Sequence, residues 1–188
     1  MPFFSYLNDK SDITDILFRK PSRYGHINNF TQEMLRGRSE LSVGERELIA
    51  AFVSALNACN YCAGIHTAVA SRFGIESTLI EELLEDIDQA NVSEKMKPIL
   101  KFSKKLTLKP AKMQEADAKA VFDAAWSEQT LEDVIGIIAL FNYYNRILEG
   151  HGIKGYPEIF ETGANHLSKR GYKFPAIVAK ILLWRKKR

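Results

Sequence analysis

The sequence predicts an all-α protein. Three observations point there: apolar residues around positions 48–65 recur at helical period, helix-start and helix-stop residues recur along the chain, and strand-like runs are scarce. Ser42 followed by Glu45 has the form of a capping box, in which each side chain satisfies a free backbone N–H of the other, so a helix should open there and run through Ala55. A second helix should follow to Gly74, a residue suited to the left-handed turn that ends helices. Further helices are expected over 78–88, 93–106, 116–126 and 130–149. Pro98 falls inside the second of these, and proline is tolerated less well the deeper it lies in a helix. Gly150, Gly152 and Gly155 end the long helix, and two more helices should cover 158–169 and 174–184.

A chain of 188 residues that is 46% hydrophobic can bury one sizeable core, and a single domain over 1–188 is the simplest reading. With 26 basic and 23 acidic residues the net charge is only +3, which demands neither nucleic acid nor an acidic partner. The nearly uncharged stretch 48–65 is long enough to raise the question of a membrane span, but Asn57, Asn60 and two cysteines inside it argue for buried core. The first ten residues lack a basic segment followed by a long apolar one, so no signal peptide is expected. A reducing, cytoplasmic home follows, in which a Cys-x-x-Cys pair is more often catalytic than a permanent staple.

The two cysteines, Cys59 and Cys62, stand three apart, with His66 four residues further on. Two cysteines placed at random would fall at this spacing about one time in a hundred. On a helix, positions three, four and seven apart share a face, which would bring both sulfurs and the imidazole together. The thiolate is the nucleophile, and an ordinary cysteine is mostly protonated at neutral pH, so an adjacent base matters. His66, one turn after Cys62, can take the thiol proton, and Cys59 can then attack an oxidised Cys62 to close a disulfide. By proximity to His66, Cys62 should be the more acidic thiol. Glu47 lies twelve residues before Cys59, about 18 Å along a straight helix at 1.5 Å per residue, so it can orient His66 only if the chain bends. Asn57 and Asn60 favour helix ends and put such a break near the first cysteine.

These residues resemble the motif of the alkylhydroperoxidase-D-like (AhpD-like) proteins of the carboxymuconolactone decarboxylase superfamily. The pattern is Glu47, eleven residues, Cys59, two residues, Cys62, three residues, His66. The stretches 46–50 and 140–146 look like the peroxidase-related branch in particular, and the resemblance covers roughly 20–155, leaving a helical extension over 156–188. It implies an all-α AhpD-like helical bundle built from related helical units, a cofactor-free thiol peroxidase or disulfide oxidoreductase, and a homo-oligomer, trimer or hexamer. It further implies that Cys62 attacks the hydroperoxide, Cys59 resolves, Glu47 and His66 relay protons, and an unidentified dithiol restores the pair. One departure stands out: the best characterised members carry a histidine just before the second cysteine, where this chain has Tyr61, whose pKa near 10 makes it a poor base at neutral pH.

Other readings of the same residues are weaker. Structural zinc wants ligands from two separated segments, and no second Cys/His pair exists, so no metal is expected. Covalent haem would need histidine at Ala63, and a thioredoxin fold would need a strand before the motif. A buried, inert cysteine pair leaves His66 and Glu47 unexplained. The wider superfamily also includes cofactor-free decarboxylases or lactone-processing enzymes, which need a base and an oxyanion site rather than two thiols. A redox-sensing module without turnover is the remaining alternative.

Aligning Asn57 with Asn142 also superposes His66 on His151, an echo that a duplicated helical unit would produce, with Tyr144 and Ile147 at the cysteine positions. Tyr61, Asn142 and Tyr144 are candidates to line a substrate pocket over the thiols, with Tyr143 and Asn145 beside them; an ordinary packed helix with aromatic core positions is the equal alternative. His26, His151 and His166 have the standing of surface or loop histidines. The terminal Trp184-Arg-Lys-Lys-Arg reads as cations solvated at a helix C-terminus, not as a nucleic-acid or membrane contact.

Overall fold

The computed structural model describes residues 1–173, and over these the chain is helical, with no strand. The order is α1 (Ile13–Leu17), α2 (Pro21–Arg36), α3 (Val43–Leu56), α4 (Asn60–Arg72), α5 (Leu79–Glu85), α6 (Lys97–Leu108), a single 3₁₀ turn at Pro110–Lys112, α7 (Glu115–Asp123), α8 (Glu128–His151) and α9 (Pro157–Arg170). The helix expected over 174–184, and the basic tail after it, lie outside the described residues.

The sequence of α3 dictates its place at the centre. Leu48, Ile49, Ala50, Ala51, Phe52 and Val53 are consecutive and all buried, so this helix has no polar face to give to water and must be covered on every side. It packs against α4 and α8, with α5 and α6 on further sides. The expected capping box is formed: the Ser42 hydroxyl accepts from Glu45 N–H at 3.2 Å, and the Glu45 carboxylate accepts from Ser42 N–H at 2.7 Å.

The break between α3 and α4 falls where the two asparagines place it. Asn57 ends α3, Ala58 turns into the left-handed region at φ 54°, and Cys59 stands at the N-cap of α4. Cys59 N–H donates to Ser54 C=O at 2.9 Å and Ala58 N–H to Ala55 C=O at 2.9 Å, a closure that satisfies carbonyls left open at the end of α3. Asn57 holds the corner from the side: its Nδ2 donates to Asn145 Oδ1 at 2.9 Å and to Asn142 Oδ1 at 3.2 Å on α8. The nearly uncharged stretch 48–65 is therefore two antiparallel pieces, and no helix among the described residues is long and apolar enough to cross a membrane.

Two expected elements differ in detail and two were not anticipated. α6 starts at Lys97, four residues later than expected, which places Pro98 in its first turn where a missing N–H costs nothing. α8 runs unbroken through Asn142, whereas the matching Asn57 ends its helix, so the two stretches that echo each other in sequence differ in backbone. α1 and the sixteen-residue α2 have no counterpart in the sequence reading. The region of α2 carries Gly25, Asn28 and Asn29, poor helix formers that tertiary contacts override. α9 approaches α4 closely, with a Phe160 ring atom 2.5 Å from where a Cβ on Gly64 would lie.

Candidate active site

Glu47 and His66 meet because the Asn57–Ala58–Cys59 corner folds α4 back along α3. His66 Nδ1 lies 2.6 Å from Glu47 Oε2. Glu47 is wholly inaccessible to water, and its other oxygen, Oε1, takes Arg36 Nη1 at 2.6 Å and the Tyr172 hydroxyl at 2.7 Å. Burial alone would raise this carboxyl, but the His66 and Arg36 charges and the hydrogen bonds outweigh it and hold Glu47 below the ordinary carboxylate range. An ionised carboxylate accepts only, so His66 Nδ1 carries a hydrogen, and in the neutral imidazole Nε2 is the acceptor. The ring is wedged by Phe141, edge-on at 4.5 Å between centroids, and by Tyr172, nearly parallel at 6.2 Å.

His66 and Cys62 form part of the wall of one apolar cavity of about 580 Å³ counting its mouth, closed by Ile13 and Leu17 of α1, Phe141 and Tyr144 of α8, and Tyr172. Cys59 is completely buried behind it and is not part of that wall. Both cysteines are free thiols. Cys59 stands at the N-cap of α4 with extended backbone, so it lies outside the helical repeat that puts Cys62 and His66 on one side.

That placement reverses the acidity order expected from the sequence. Cys59 is held below its ordinary value by the hydrogen bond from the Cys62 side chain, and the Cys62 backbone N–H adds to it against the cost of burial. Cys62 is pushed well up by the same hydrogen bond to Cys59, by burial and by the Cys59 charge, against a smaller lowering by Asn145. The environment thus favours ionisation of Cys59 and disfavours that of Cys62, which lies in the cavity wall.

The candidate lining residues divide. Tyr61 and Tyr144 both line the cavity. The Tyr61 hydroxyl accepts from Ile13 N–H at 3.3 Å and so ties α1 over the site; burial raises its ionisation well above the ordinary range. The Tyr144 hydroxyl shares a 2.7 Å hydrogen bond with Thr31, and burial raises it likewise. Asn142 is not in the wall: its amide is taken by Asn57, by Ile138 C=O at 3.0 Å and by Arg146, so it braces the corner instead of meeting a substrate. Asn145 donates to Ser54 Oγ at 3.0 Å and reaches Cys62. Tyr143 is exposed. Arg36 and Tyr172 were missed, because neither stands in a motif and each reaches Glu47 only through the fold. Both Glu47 oxygens are engaged, by Arg36, Tyr172 and His66, and among the described residues no group of three or more His, Cys, Asp or Glu is placed to hold a metal ion.

Residues 24–105 match the carboxymuconolactone decarboxylase family. No curated protein matches the chain. Among solved structures the fold is similar to that of an uncharacterized peroxidase-related protein from Silicibacter sp., at 24% identity and a TM-score of 0.72 over 79% of this chain and 78% of that one. It is similar also to an alkylhydroperoxidase AhpD core, an uncharacterized peroxidase-related protein from Ralstonia eutropha, at 23% identity and a TM-score of 0.71 over 79% and 78% of the two chains.

Proposed function

We propose that the chain is a thiol-dependent peroxidase, a reading supported by the match of residues 24–105 to the carboxymuconolactone decarboxylase family and by an AhpD-like fold. The observation that carries the proposal is that Cys62 and His66 share the wall of one cavity while Glu47 locks His66 Nδ1 from behind at 2.6 Å. His66 Nε2 is then the base that takes the Cys62 proton.

The Cys62 thiolate attacks an oxygen of the hydroperoxide. An S–O bond forms, the O–O bond breaks, and the leaving alkoxide takes the proton from His66 and departs as an alcohol, which leaves Cys62 as a sulfenic acid. The Cys59 thiolate attacks the Cys62 sulfur; the S–S bond forms, the S–O bond breaks, and the hydroxide leaves as water with a proton from the site. An external dithiol reduces the disulfide by exchange and is itself oxidised to a disulfide. The hydrogen-bonded, low-lying Cys59 suits the second step, which needs a ready thiolate, and the cavity-facing Cys62 suits the first. A lactone decarboxylase would have no use for this pair.

The test is a peroxide-consumption assay with several dithiol donors on the wild type and Cys62→Ser. Turnover by the wild type with at least one donor, abolished in Cys62→Ser, is expected; equal consumption by both would overturn the proposal.

A further inference from the structure

Glu47 is a fully buried carboxylate, and a buried charge needs an opposite charge beside it. Two groups can supply one: Arg36 at 2.6 Å from Oε1, and a protonated His66 at 2.6 Å from Oε2. The choice between them decides what His66 can do. If the compensating charge were a proton on the imidazole, Nε2 would be a donor and could take nothing from Cys62.

Arg36 is built to carry that charge. It is the last residue of α2, and its guanidinium is pinned by Leu35 C=O at 2.8 Å and Leu167 C=O at 3.2 Å. It lies between the rings of Tyr172 at 5.0 Å and Phe73 at 5.4 Å. The guanidinium cannot lose its proton in water-accessible pH, so its charge is permanent where that of imidazole is not. Tyr172 completes the second lone pair of Oε1 with a neutral hydroxyl.

We infer that Arg36 is a positioning residue of the site: by holding the charge of Glu47 it leaves His66 as a neutral base. The inference rests on the proton relay proposed above. The other titratable groups around the imidazole are Cys62 on α4, Tyr144 on α8 and Tyr172 after α9, with Glu149 of α8 acting on the two thiols; α1 presents Ile13, Thr14 and Leu17 to the cavity, none of them titratable. Arg46 on α3 also feels the Glu47 charge, but its guanidinium is spent on the Ser42, Met34 and Gly37 carbonyls, so Arg36 is the fixed cation in ion-pair contact with Glu47 among the described residues.

The experiment is an NMR titration of the His66 ring resonances in the reduced protein, assigned by their loss in His66→Gln. In Arg36→Gln the titration midpoint should move to higher pH by about one unit or more, because the carboxylate then turns to the imidazole for its counter-charge. Arg36→Lys, which keeps the charge, should return close to the wild type. Tyr172→Phe removes a neutral donor and should shift the midpoint by less than half as much as Arg36→Gln. Arg36→Met, whose thioether suits the slot between the two rings, is a second neutral variant with the same expected shift should Arg36→Gln fail to fold. An unchanged midpoint in a folded neutral variant, or a Tyr172→Phe shift as large as that of Arg36→Gln, overturns the inference. No peroxide enters the measurement, so a protein that turned over no hydroperoxide would sink the proposed function and leave this result standing.

Discussion

Cys59 stands at the N-cap of the helix that carries Cys62, and the adjoining Cys62 thiol and backbone favour its ionisation against the cost of burial. Chain distance to His66 therefore misjudges the pair. The imidazole does stand one turn from Cys62, but the helix N-terminus and the neighbouring thiol act on Cys59 at contact range, and they win. Reactivity toward a cavity-bound molecule then depends on access as much as on acidity, and access belongs to Cys62.

The two single serine variants should separate these effects. Cys62→Ser should consume almost no peroxide, since the remaining sulfur is behind the cavity wall. Cys59→Ser should consume about one equivalent and stall as a sulfenic acid, because no resolving thiol is present. The charge of Cys59 and its hydrogen bond both push Cys62 up, so removing them should move the pH dependence of that single equivalent to lower pH. Stopped-flow consumption at several pH values, with mass spectrometry of the product, checks both; fast reaction in Cys62→Ser would reverse the assignment.

Much of this site was legible because its logic is local. The Ser42 and Glu45 cap, the need for a bend between Glu47 and His66, and the asparagine that marks it are all read within a few residues of one another. The residue that actually turns left-handed is Ala58, which no propensity would choose; Asn57 instead ends the helix and ties the corner to α8. Asn142 is expected from the sequence to line the pocket, yet it is absent from the cavity wall and its amide is spent on that same corner. Arg36 and Tyr172 were illegible for a different reason: α2 is too polar to announce itself, and Tyr172 lies 125 residues from Glu47, so only the packed fold brings them together.

Ala58 offers a stability test of the corner. A non-glycine residue at φ 54° costs about 1–2 kcal/mol relative to a right-handed conformation, and glycine removes most of that cost while adding some unfolded-state entropy. Ala58→Gly should stabilise the protein by about 1 kcal/mol, read as a higher urea midpoint at unchanged slope. A lower midpoint would mean that the Ala58 methyl makes packing contacts worth more than the strain.

The buried ion cluster gives stability a pH dependence of known sign. The Glu47 carboxyl is lower in the folded state than its ordinary 4.5, so the unfolded chain binds its proton first as pH falls. The contribution is whole above that ordinary value and is lost progressively below it. Glu47→Gln should cost about 3–5 kcal/mol at pH 7, because Arg36 is left buried without its partner charge. The gap between wild type and Glu47→Gln in urea denaturation should narrow as pH falls below the ordinary carboxylate value; a gap that stays constant through that range would show that the cluster is not ionised as described.

Tyr61, noted in the sequence as a departure from the motif the chain resembles, has a geometry that assigns it a structural task. The hydroxyl is buried and neutral, and it accepts the N–H of Ile13 at the first residue of α1, the short helix that closes the cavity. Tyr61→Phe keeps the ring in the wall and removes only that acceptor, at a cost of about 1 kcal/mol for one neutral hydrogen bond. The loss should appear locally: amide exchange at Ile13 and through α1 should quicken, because the Asp12–Asp15 capping box closes the helix end on itself whereas the Tyr61 hydroxyl ties that end to α4. Peroxide consumption in a single turnover should stay within a few-fold of wild type, since His66 rather than the phenol takes the thiol proton. Hydrogen exchange unchanged at α1, together with a hundred-fold loss of the first step, would instead make the Tyr61 hydroxyl part of the chemistry.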